Sequence, residues 1–310
     1  MTRDGASWLP EDGEADLGAV TLPTGHRVRG SLPPTSGDPV MWVTDAPVES
    51  PGHRWRDLEV AATSVGLISV FLDDLPHAPG RPWDSGEFIR IDDPAPERYD
   101  PDVVFRQQWN SHVPLGSLAP GDREEMNREW MTSSLPPYPD WLLAAGENED
   151  EEETSIFLEQ AAPWGIQFPG LALAETAPDD TSRYDAAIVG TPAARIGLVA
   201  ASRAADIPAL IGWSGAINNF RGDEGAVILS AMMRSWEDRF GARLFRLGFD
   251  TMDFLVRRPP ATLASAQAVA AEHFSFAGIE SLNSQVVPTP SIGSLADLIL
   301  GNPIWHFWWD

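Results

Sequence analysis

Apolar residues recur along this chain with both strand and helix periods. Val40-Met41-Trp42-Val43 and Leu67-Ile68-Ser69-Val70-Phe71-Leu72 are short apolar runs that read as strands. Between them, Trp55, Leu58, Ala62 and Val65 fall on one face of a helix over 54–65, which Gly66 ends. This strand–helix–strand unit predicts a small α/β layer.

The second half is patterned more strongly. Residues 195–200 predict a strand, and Ser202 is placed to cap a turn through Asp206. Over 227–240, Leu229, Met232, Met233, Trp236 and Phe240 form one stripe, with Gly241 at the C-cap. Residues 244–249 and 252–256 read as strands with Asp250 at their turn. Thr262 is placed to cap a helix running to about His273, and a short helix near 295–300 ends at Gly301. The last run, Ile304-Trp305-His306-Phe307-Trp308-Trp309-Asp310, predicts a closing strand. Alternation puts Trp305, Phe307 and Trp309 on one face and His306 and Trp308 on the other. The order β-α-β-β-α-β matches a ferredoxin-like, α+β arrangement: an antiparallel sheet with helices on one face.

The length, 310 residues, suits about two domains. The boundary is expected at the acidic run 147–153, where dense like charge resists packing. That gives an N-terminal α/β domain over 1–146, a loop or linker over 147–154, and a C-terminal domain over 155–310. The first ~20 residues, rich in Gly, Asp and Glu, read as loose. Residues 73–140 are rich in Pro, Asp and Arg, with one short helix expected at 122–130. The start of the chain lacks the basic and apolar regions of a signal peptide, so the expected compartment is the cytoplasm.

Composition narrows the chemistry. There is no cysteine, which removes thiolate nucleophiles and Cys-based zinc sites. All 21 basic residues are arginine, which removes Schiff-base chemistry and a P-loop lysine. No nucleotide, cofactor or metal motif stands out. A net charge of −25 argues against nucleic acid and against anionic membranes, and leaves room for a basic protein partner.

Five segments together carry a family likeness: Gly212-Trp213-Ser214-Gly215-Ala216-Ile217-Asn218, Ser235-Trp236-Glu237-Asp238-Arg239-Phe240-Gly241-Ala242, Gly248-Phe249-Asp250-Thr251, Ala271-Glu272-His273-Phe274 and the aromatic tail. In this order, over roughly 165–310, the chain resembles the bacterial domain of unknown function 4253. The resemblance implies a bacterial origin and a fold, and brings no substrate. Members often carry a Cys-Pro-Asp stretch after Glu-His-Phe; this chain has Ala277-Gly278-Ile279 there, which argues against a cysteine mechanism common to the family.

Within these segments Gly212 to Ala216 has the outline of a nucleophile elbow, and the order Ser214, Asp250, His273 mimics a hydrolase triad. The competing reading, which is preferred, is a glycine turn with Trp213 in the core. Glu272 and His273 could serve acid–base chemistry or pack at a helix end. Arg239 could bind a carboxylate or pair with Asp250. His306 and Asp310 would share a strand face, too few ligands for a metal site. Arg81, Trp83, Asp84 and Glu87 make a polar-aromatic loop without assigned chemistry. The expectation is a non-catalytic binding module, immunity-like in neutralising a protein partner, with Trp213, Asn218, Arg239 and Asp250 as binding residues. The alternative is a hydrolase using Ser214 or Glu272 with His273, beside Trp213.

Overall fold

A computed structural model of the chain describes residues 9–30, 38–89, 91–114, 151–175, 185–186, 188–220, 224–278 and 291–309. Two compact units divide the chain, and neither is continuous in sequence. The first comprises Met1–Pro96, Glu175–Pro259 and Asn302–Asp310; the second comprises Glu97–Ala174 and Pro260–Gly301. Positions 151–153, the described end of the acidic run expected as a boundary, fall within the second unit's first stretch.

The first unit holds one eight-stranded sheet. Its strands are β1 (Gly13–Asp16), β2 (Thr21–Val28), β3 (Met41–Thr44), β4 (Ile68–Leu72), β5 (Arg195–Val199), β6 (Ala242–Leu247), β7 (Thr251–Val256) and β8 (Ile304–Trp308), ordered β1-β2-β3-β5-β4-β6-β7-β8. The β4–β6 pair is parallel and every other pair is antiparallel. The chain order expected for the second half is present, but the ferredoxin-like sheet is not. β5 sits between β3 and β4, and β4 separates it from the meander β6-β7-β8. Both β4 and β5 are buried at all five positions. Strands covered on both faces suit the middle of a sheet, whichever part of the chain supplies them.

Two strands fall in the stretch expected to be loose or left unassigned. β1 buries Ala15 and exposes Glu14 and Asp16, while β2 buries Leu22, Gly25 and Val28. Gly25 is required there: a Cβ would come within 2.4 Å of the Trp42 ring.

Among the described residues, the helices α1 (Trp55–Ser64), α4 (Ile207–Ile211) and α5 (Gly225–Phe240) belong to this unit. Trp55, Leu58, Ala61 and Ala62 of α1 join Phe71, Ile196, Leu198, Phe245 and Leu255 in one apolar cluster. On the opposite face, Trp236 of α5 lies 5.9 Å from Phe254 and 5.5 Å from both Trp305 and Phe307. The two faces separate at Phe254 and Leu255, as strand alternation requires. Gly241 ends α5 at φ 62°, as its C-cap position predicts.

The second unit contains the helices α2 (Pro101–His112), α3 (Glu151–Gln160), α6 (Leu263–Ala277) and α7 (Ile292–Ile299). Its core gathers around Trp109, whose ring centroid is 5.0 Å from Phe274, 5.9 Å from Phe168 and 6.4 Å from Phe157. Positions 151–153, the end of the acidic run, are helical and belong to α3 instead of a loop. Positions 147–150, the helix expected at 122–130, and Ile279 lie outside the described residues. No helix among the described residues is long and apolar enough to cross a membrane.

Candidate functional site

The elbow-like turn is not an elbow. A helix, α4, precedes it where a nucleophile elbow needs a strand. Gly212 ends that helix at φ 72°, and a Cβ on it would lie 1.9 Å from the Ile89 carbonyl oxygen. Gly215 is equally constrained, with the Phe249 carbonyl oxygen 2.2 Å from its Cβ position. Trp213 is buried, and its indole N–H donates to the Gly248 carbonyl at 2.9 Å. The Ser214 hydroxyl donates to the Glu87 carbonyl at 3.4 Å and bonds to no histidine or carboxylate among the described residues. A small, mostly apolar cleft, partly open to solvent, lies here among Ile89, Trp213, Ile217, Phe220 and Leu229, with Ser214 as its hydroxyl. Asn218 is exposed on the same turn.

Asp250 is committed to the tail. Its carboxylate accepts the Trp308 indole N–H at 3.1 Å, and its carbonyl accepts the Trp309 amide at 2.9 Å. It forms no ion pair with Arg239. That guanidinium turns back along α5, donating to Ser235 at 3.1 Å and lying 5.0 Å from the Phe240 ring centre.

Glu272 and His273 belong to the helical unit and lie inside α6, not at its end, because the helix continues to Ala277. Thr262 caps that helix, accepting the Ser265 amide at 3.2 Å. Both residues are buried, and the Glu272 carboxylate accepts the Ala172 amide at 2.6 Å. Burial pushes His273 down to about 3 and His112 to about 4, with a Ser275 backbone bond partly opposing the shift at His112. Both imidazoles are neutral at pH 7. Ser214 and Asp250 belong to the sheet unit and His273 to the helical unit.

Sequence reading missed a row of charges across one end of the sheet. His26 on β2 has Nδ1 2.7 Å from Asp45 and Nε2 3.4 Å from Asp84. Arg195, buried at the start of β5, pairs with Asp84 at 2.8 Å and Asp74 at 3.0 Å and donates to the Thr44 carbonyl at 3.3 Å. Arg246 on β6 makes paired bonds to Asp73 at 2.5 and 2.7 Å. Burial alone would lower the Arg246 pKa, but the bonds to Asp73 and the charges of Asp73 and Asp253 hold it above its usual value. Asp253 on β7 then bonds Nδ1 of His306, its register partner on β8. Asp310, expected to share a strand face with His306, lies outside the described residues. The signals in the chain were Asp73-Asp74 after one apolar run and Arg195 opening another. Only the pairing of β4 with β5 brings them together.

The loop expected as a polar-aromatic cluster feeds this row through Asp84. Arg81 pairs with Glu87 at 2.5 Å, and its hydrogen bond holds the Glu87 carboxyl below its usual range against the opposing effect of burial. Trp83 is buried, its indole donating to the Asp73 carbonyl at 2.9 Å. Among the described residues, no group of three or more His, Cys, Asp or Glu side chains could hold a metal ion.

Four of the five segments carrying the family likeness interlock within the sheet unit. The Gly212 turn meets Gly248 through Trp213, whose ring centre is 5.6 Å from that of Trp309; Asp250 holds Trp308; and Trp236 stacks on Phe307. Residues 195–310 match the family described as Domain of unknown function (DUF4253). The DUF4253 match begins at β5, later than the start near 165 expected from the motifs. It takes in those four interlocked segments with α6 and α7, and leaves β1–β4 outside. No curated protein matches the chain, and no solved structure does.

Proposed function

We propose that this protein is a non-catalytic binding module whose partner is a basic protein segment. The observation that carries this reading is the commitment of the chemically capable side chains to the fold. Ser214 bonds a backbone carbonyl, Asp250 holds Trp308, Glu272 accepts a backbone amide, and His273 is buried and neutral. A general base must reach its nucleophile and exchange protons with solvent, and these groups are engaged elsewhere. The net charge of −25 favours a cationic partner and fast, salt-sensitive encounter.

The test pairs an activity screen with a binding screen. Fluorophosphonate labelling and ester hydrolysis should be equally silent in the wild type and in Ser214→Ala. A labelled arginine-rich peptide should bind with an affinity that falls as salt rises, and a glutamate-rich one should not bind. Labelling that disappears in Ser214→Ala would replace this reading with the hydrolase. Absence of binding by the basic peptide at low salt would remove the partner class.

A further inference from the structure

The two edges of the sheet are built differently. β1 is short, has a register shift between Glu14 and Ala15, and exposes Glu14 and Asp16. Bulges and outward charges are how proteins prevent a sheet edge from recruiting another strand. β8 has neither device. It pairs with β7 in unbroken register from Ile304 to Trp308. The ladder is bracketed by bonds from the Val256 amide to the Pro303 carbonyl at 2.8 Å and from the Trp309 amide to the Asp250 carbonyl at 2.9 Å. Antiparallel alternation then turns the backbone groups of Trp305 and Phe307 toward β7 and those of Ile304, His306 and Trp308 outward. Asn302 satisfies the Ile304 amide at 3.0 Å. Among the described residues nothing pairs with the carbonyl of Ile304 or with the amides and carbonyls of His306 and Trp308.

The two faces beside this edge are chemically distinct. One carries Asp253 with His306 and Asp250 with Trp308, all half-buried. The other carries the buried rings of Trp305 and Phe307. A strand added outside β8 would lie about 4.8 Å away. Its side chains on one face would lie beside half-buried His306 and Trp308, toward the Asp253 and Asp250 carboxylates that hold them, and those on the other face would flank the covered row of Trp305 and Phe307. A second copy of the chain would bring another −25 of charge to the same place, which disfavours self-pairing.

We infer that the β8 edge binds its partner by strand addition: an extended segment, with basic and apolar residues alternating, hydrogen-bonds to Ile304, His306 and Trp308 as a ninth strand. The bonds supply affinity and the two faces supply register and selectivity. This rests on the binding reading above and names the surface that serves it.

The test uses the full chain and a fluorescent peptide of about eight residues, a usual strand length, alternating arginine and valine. A second peptide is N-methylated at alternate residues, which removes the strand donors and keeps the charge. A third replaces arginine with glutamate. The first peptide should bind, slow hydrogen exchange at the His306 and Trp308 amides, and lose about tenfold in affinity on N-methylation, equivalent to one or two net hydrogen bonds. Equal binding of the first two, with no protection at those amides, overturns strand addition and leaves a charge-driven partner standing. Binding by none, or equally by the glutamate peptide, overturns both. A free protein that sediments as a dimer with those amides already protected assigns the edge to a second copy and overturns the inference.

Discussion

The Asp250 carboxylate and the Trp308 indole N–H are 3.1 Å apart, and that bond fixes the aromatic tail to the β6–β7 turn. Asp250→Ala removes the acceptor and leaves a half-buried indole N–H to find water. A loss of about 1–2 kcal/mol is expected. Ser214→Ala, which gives up a long 3.4 Å bond, should cost less than about 1 kcal/mol. Urea unfolding of both variants followed by tryptophan fluorescence checks the ranking. A larger loss for Ser214→Ala would make the turn more than a packing element.

Arg195 is the centre of the charge row. Arg195→Met strands Asp74 after β4, where little water reaches it, and takes one partner from the more exposed Asp84 in the 81–87 loop, and is expected to cost about 3 kcal/mol, mostly through Asp74. Adding Asp84→Asn should recover part of that, because one carboxylate left short of a partner is gone. A double-mutant cycle in denaturant measures the coupling. Strict additivity would mean that Asp84 and Arg195 do not stabilise each other.

Gly212→Ala meets two obstacles, the left-handed backbone at φ 72° and the Ile89 carbonyl oxygen 1.9 Å from the new methyl. The expected loss is about 2 kcal/mol or more. A melting temperature unchanged from wild type would show that the turn can relax without cost.

The helical unit should weaken in mild acid. Its two histidines, His273 buried and His112 half-buried with its Nε2 enclosed, stay neutral down to about 4 at His112 and about 3 at His273, whereas the unfolded chain protonates near 6.5. Between those limits the unfolded state holds more protons, so acid favours unfolding. Stability from this source is complete above about pH 6.5 and falls by up to about 1.4 kcal/mol per pH unit for each histidine as pH drops toward 4. Stability measured at pH 7, 6 and 5 tests the slope. His273→Gln should reduce it, and an unchanged slope would assign the acid sensitivity to other groups.

Deleting 305–310 takes three buried rings, Trp305, Phe307 and Trp309, from the sheet unit. At about 1.5–3 kcal/mol per large buried apolar side chain, the loss is comparable with a typical total stability of 5–15 kcal/mol. Loss of native circular dichroism and rapid proteolysis are expected. A truncated chain that keeps both native signals would make the tail an appendage instead of a structural strand.

The legible parts of this chain were those whose information is local. The stripe from Leu229 to Phe240 with Gly241 behind it, the Thr262 cap, and the alternation from Trp305 to Trp309 each express a backbone period within a dozen residues. The preference for a packed Trp213 over an activated Ser214 rests on glycine placement and on flanks that lack the strand and helix an elbow needs. Other features depended on partners far away in the chain. β5 enters between β3 and β4 because fully buried runs, over 120 residues apart in the chain, pair in the middle of the sheet. That pairing assembles Arg195 with Asp74 and Asp84, divides the chain into interleaved units, and sets Glu272 and His273 in a different unit from Ser214. Likewise, alternation predicts which rings of the tail are buried, but it cannot say whether β8 is flanked on one side or two. Period is a property of neighbouring residues, while an open edge is a property of the whole sheet.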